Sequence, residues 1–70
     1  LDPTDFELTL AAQEAEAAAA KTNRDEASAA LERFRQLFAE GHIAQAALDQ
    51  RVSAAAEANS RVERAARNVD

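Results

Sequence analysis

The chain has 70 residues, a formal net charge of -5 and no cysteine, so disulfides and thiolate metal sites are excluded. A core this small usually needs a metal, a disulfide or association to be stable, and an acidic balance disfavours the clustered Lys and Arg that a nucleic-acid surface requires. One glycine and one proline, set among alanine, glutamate, arginine, leucine and glutamine, imply few turns and long helices rather than sheet.

The opening stretch, Leu1-Asp2-Pro3-Thr4-Asp5-Phe6-Glu7, carries helix-start signals. Asp2 suits an N-cap with Pro3 at the first helical position; alternatively Thr4 caps and Glu7 completes a capping box. No breaker follows until Gly41, a residue suited to the left-handed position that ends a helix. The first helix is therefore expected from Pro3 to Glu40, roughly 55 Å at 1.5 Å per residue. A turn over residues 41–44 leads to a second helix from Gln45 to Asp70. The chain starts at Leu1 and stops inside a helical pattern, which reads as a piece of a longer protein. No apolar run approaches the length of a membrane span, and no basic segment followed by an apolar one marks a signal peptide.

Apolar and small residues recur at alternating spacings of three and four. In the first helix they are Phe6, Leu10, Gln13, Ala17, Ala20, Arg24, Ala27, Leu31, Phe34 and Phe38. The second has Leu48, Val52, Ala55, Asn59, Val62, Ala66 and Val69. This is a heptad seam, and the short link forces the helices antiparallel. The fold class is all-α, a two-helix antiparallel coiled-coil hairpin. One register pairs Phe38 with Leu48, Phe34 with Val52, Leu31 with Ala55, Ala27 with Asn59 and Ala17 with Val69. Arg24 and Asn59 are the polar breaks expected to pin it. The same register leaves Phe6 and Leu10 without partners in this chain, so either a further segment of the longer protein covers them or another copy does, as an antiparallel dimer or four-helix bundle.

Bulk is concentrated near the turn, in Phe34, Leu37, Phe38, Ile43 and Leu48, while the stem is mostly alanine. Apolar area sets hydrophobic stabilisation, so the turn end should hold the hairpin. Catalysis is not expected, and neither is a cofactor or a metal site. His42, the only histidine, sits in the turn with no cluster of partners. The carboxylates Glu14, Glu16, Asp25, Glu26 and Glu63 fall at exposed positions, suited to solvation or same-helix pairing. Arg33, Arg35 and Arg51 lie close to the tip. Pairing such as Glu32 with Arg35 accounts for charge alone, whereas Arg beside large apolar groups also suits a docking surface.

These residues resemble a known family. The opening Leu-Asp-Pro followed by an aromatic, the segment from Arg33 to Gln50, and the closing Ala-Ala-Arg-Asn-Val-Asp are similar to the α-helical hairpin of periplasmic adaptor proteins, or membrane fusion proteins. These serve tripartite efflux pumps and haemolysin-type secretion systems. The family's tip pattern is Arg, three residues, Leu, six residues, Ser, with Gly-x-Ile before the Ser and Leu-Asp after it. Here Arg33, Leu37, Gly41 and Ile43 match, while Ala44 stands where the family has Ser.

The resemblance implies a periplasmic protein, associated with the inner membrane when full length. It would link an inner-membrane transporter, through parts outside this chain, to an outer-membrane channel. It also implies a homo-oligomeric ring with hairpins side by side. Arg33 and Leu37 would contact the channel, with Gly41 and Ile43 shaping the turn. Ala44 would forgo a helix cap and one hydroxyl contact, and Asp49 is expected to offset part of that loss from the first turn of the second helix. A generic antiparallel coiled-coil spacer or dimerisation module is the other reading of the same periodicity.

Overall fold

Helix α1 spans Pro3–Ala39 and helix α2 spans Gln45–Val69, in a computed structural model that describes residues 2–69. Leu1 and Asp70, the outer residues of the entry and exit stretches, lie outside the described residues. The two helices pack against each other as a hairpin, a rod 58 Å long and 13 Å across. Among the described residues no helix is long and apolar enough to cross a membrane.

Local chemistry explains where each helix starts and stops. Asp2 holds extended backbone, and its Oδ1 accepts the Thr4 amide at 2.9 Å, with Pro3 at the first helical position. That satisfies one of the amides orphaned at a helix start, and it selects Asp2 over Thr4 as the cap. At the other end Glu40 is the C-cap and Gly41 adopts φ 81°. The Gly41 amide donates to the Phe38 carbonyl at 3.0 Å, and the His42 amide donates to the Leu37 carbonyl at 2.9 Å. This paired reach-back, six residues to one and five to two, is the Schellman arrangement that glycine makes possible. No neighbouring atom would meet a Cβ at Gly41; the constraint there is backbone conformation alone.

The core is alanine. Ala20, Ala30, Ala55, Ala58 and Ala65 are buried, and among the described residues no large side chain is fully buried. Each methyl removed from water contributes at most about 0.8 kcal/mol. Toward the turn, Leu31, Phe34, Leu37, Ile43 and Leu48 are each half-buried and bring more apolar surface per residue. The expected grading of the seam, bulky at the turn and small along the stem, is present.

The frame of the seam differs from the expected one at alternate positions of α2. Val52, Asn59 and Ala66 are exposed, whereas Ala58 and Ala65 are buried and Ala54 is half-buried. Burying Asn59 would strand an amide with no partner, at a cost of roughly 1–3 kcal/mol. The seam keeps Leu48, Ala55, Val62 and Val69 and takes Ala58 in place of Asn59, which leaves the amide in water. Facing partners shift accordingly: the Arg51 guanidinium lies 4.5 Å from the centre of the Phe34 ring, where Val52 was expected.

Neither proposed register pin sits in the seam as a polar pair. Arg24 covers it with its stem while its head bonds Asp25 at 2.9 and 3.2 Å on its own helix, an exposed pairing of small worth. Near the tip Leu37 is half-buried and Phe38 is 37% exposed. Leu37 is thus the more covered of the two and shares the seam position expected for Phe38.

α1 outruns α2 at the open end. Phe6 is 69% exposed and Leu8, off the seam face, 64% exposed. Leu10, expected to be uncovered, is half-buried, as is Val69 at the end of α2.

Candidate functional site

The five tip residues singled out in the sequence occupy one end of the rod in unequal roles. Arg33 is exposed in the penultimate turns of α1, and among the described residues it forms no salt bridge. One turn on, Leu37 shares a shallow groove of about 230 Å³ with Arg33, Gln36 and Glu40. Leu37 is half-buried and so serves both the packing and the groove wall, rather than facing outward only. Gly41 makes the left-handed turn, and Ile43 is half-buried beneath it.

Ala44 is the N-cap of α2 by position. Its carbonyl accepts the Ala47 and Leu48 amides at 3.1 and 3.4 Å, but its methyl offers nothing to the free amides of the first turn. Asp49 does not replace that cap. It lies beyond the first turn, which holds no acidic residue, and its Oδ1 accepts from Gln45 Nε2 at 3.0 Å. The expected dipole compensation is therefore corrected to a side-chain bond within α2.

A polar chain at the tip was not anticipated. Gln36 Nε2 donates to Glu40 Oε1 at 3.3 Å, and Glu40 Oε2 lies 3.5 Å from His42 Nε2. The signal was available, since Gln36 and Glu40 are four apart on one helix face. It links the last turn of α1 to the turn residue His42, and Arg33 is the groove's cation, without a salt bridge among the described residues. Of the other two tip arginines, Arg35 is held by Glu32 at 2.8 Å, as its spacing suggested, and Arg51 is spread over Phe34. A cation over an aromatic face contributes about 0.5–1 kcal/mol at an exposed site. Among the described residues no group of three or more His, Asp or Glu side chains is placed to hold a metal ion.

The tip thus groups an exposed guanidinium, an amide and a carboxylate around Leu37, immediately before the glycine turn. Comparison with known proteins returns no matching family model, no matching curated protein and no matching solved structure.

Proposed function

We propose that this chain is the α-helical hairpin of a periplasmic adaptor, whose tip docks on an outer-membrane channel for efflux or secretion. The observation that carries the reading is the tip itself. Arg33 and Leu37, at the spacing of the family's tip pattern, line one groove immediately before a glycine-capped turn, and Arg33 is unengaged. A guanidinium free of intramolecular partners retains its donors for a carboxylate or carbonyl on another protein. In this reading the stem is a spacer, the tip is the contact, and attachment to the transporter belongs to other parts of the full-length protein.

The test is Arg33→Ala in the full-length adaptor. Because Arg33 is exposed, helicity and melting temperature should be unchanged while export through the channel falls. Leu37→Ala should reduce export too, but its half-burial means it also lowers stability, so Arg33 is the cleaner probe. Normal export in the double variant would overturn the docking role.

A coiled-coil spacer or dimerisation module in another kind of protein is the second reading, favoured by the exposed Phe6 and Leu8 at the open end. Under that reading the tip substitutions leave function intact, while substitutions at Phe6 impair it.

A further inference from the structure

One long face of the rod carries a groove with charged rims. Its middle part, about 310 Å³, has a floor of Ala27, Ala30, Ala54 and Ala58. Glu26 stands on the α1 rim of this part, and Glu57 and Arg61 stand on the α2 rim. Arg61 also lines the next part, with Glu16 and Arg64, so the two are continuous. The tip groove of Arg33 and Leu37 joins the same face, since these lie seven residues on from Glu26 and Ala30. Most of the rim charge is unused within the hairpin. Glu57 holds Arg61 at 3.0 Å, but Glu16, Glu26, Arg33 and Arg64 form no salt bridge among the described residues.

We propose that this face is a self-association surface, closed by a second copy of the chain lying antiparallel on it, tip against stem. Charge selects the occupant. The α1 rim is acidic toward the stem, at Glu16, and basic toward the tip, at Arg33. An antiparallel copy therefore sets Arg33 against the second copy's Glu16, and Glu16 against the second copy's Arg33. The α2 rim repeats the pattern, with Glu57 against the second copy's Arg64 and the reverse.

The two rims agree on where the axis lies. The midpoint between Glu16 and Arg33 falls between Arg24 and Asp25; that between Glu57 and Arg64 falls between Ser60 and Arg61. Phe34 faces Arg51, and ten residues toward the stem from that pair are Arg24 on α1 and Arg61 on α2. The midpoints thus share one height on the rod, and a single two-fold axis there satisfies all four pairs in a closed contact. The same operation lays Ala30 on the second copy's Ala19 and Leu37 on its Ala12, and brings Glu26 to its Asn23. With both tips at the same end, α1 would instead lie over the second copy's α2 and Glu26 would meet Glu57, acid against acid. Exposed ion pairs and alanine contacts are individually small, so the dimer is weak and reversible. It covers the Leu37 groove, but it stands on this chain's own charges and requires no channel.

Sedimentation equilibrium of the 70-residue chain over about 10 µM to 1 mM, a range suited to weak contacts, tests it. The expected result is a monomer–dimer equilibrium with no larger species. Arg33→Glu, which turns two attractions into repulsions, should weaken association about ten-fold with unchanged circular dichroism. Adding Glu16→Arg to the same chain should restore it. Lys21→Glu should leave it unchanged, because Lys21 lies nine residues before Ala30 and so about 180° around the helix. A mixture of Ala19→Cys and Ala30→Cys chains should oxidise to the mixed disulfide in preference to either like pair. A monomer at all concentrations overturns the proposal, as does a dimer indifferent to Arg33→Glu, a failure of Glu16→Arg to restore it, greater sensitivity to Lys21→Glu, or a preference for either like disulfide.

Discussion

Two helix starts in this chain show what a single side chain does. At Asp2 a carboxylate oxygen takes the Thr4 amide; at Ala44 only a methyl is present, and the first-turn amides of α2 are left to water. Ala44→Ser should therefore raise stability by about 0.5–1 kcal/mol, measured as a shift in the urea midpoint at constant m-value. No increase would mean that the turn backbone does not hold position 44 in capping geometry. The tip residues differ in how far spacing alone revealed them. Arg33 and Leu37 are singled out only by the resemblance to the adaptor tip pattern, since the heptad seam passes over both. The half-burial of Leu37 agrees with its place among the bulky residues expected to hold the turn end. The Gln36–Glu40–His42 chain was hidden, since it needs the turn to bring His42 beside Glu40.

At the scale of the helix pair, the elements and their antiparallel packing were legible from the unbroken periodicity and the single glycine. The frame of α2 was not. Two stripes, one through Val52, Asn59 and Ala66 and one through Arg51, Ala58 and Ala65, each satisfy alternating three-four spacing. Ranking them by apolar bulk favours the one with valine, but the deciding term is the amide of Asn59, which only one frame leaves in water. The two frames make opposite predictions. Ala58 is 2% exposed, so Ala58→Leu should wedge the helices apart and lower stability by about 1–3 kcal/mol. Asn59→Leu, on the exposed face, should change stability by no more than about 0.5 kcal/mol. Thermal or urea denaturation of the pair checks this, and a reversal of the two effects would restore the valine stripe as the seam.

For the whole molecule, the acidic arm at one end and the arginine-bearing tip at the other give a rod with two chemically distinct ends. The adaptor reading uses only the second of them.

The placement of bulk also has a kinetic consequence. With mostly alanine along the stem, separating the helices from the free end forfeits little at each step, while the Phe34, Leu37 and Leu48 end resists. The molecule should thus breathe like a zipper hinged at Gly41. Its amide protons should exchange fastest near Val69 and progressively more slowly toward Leu48, in a gradient that hydrogen–deuterium exchange would resolve residue by residue. Uniform protection along α2 would instead mean that the alanine stem opens only as a unit.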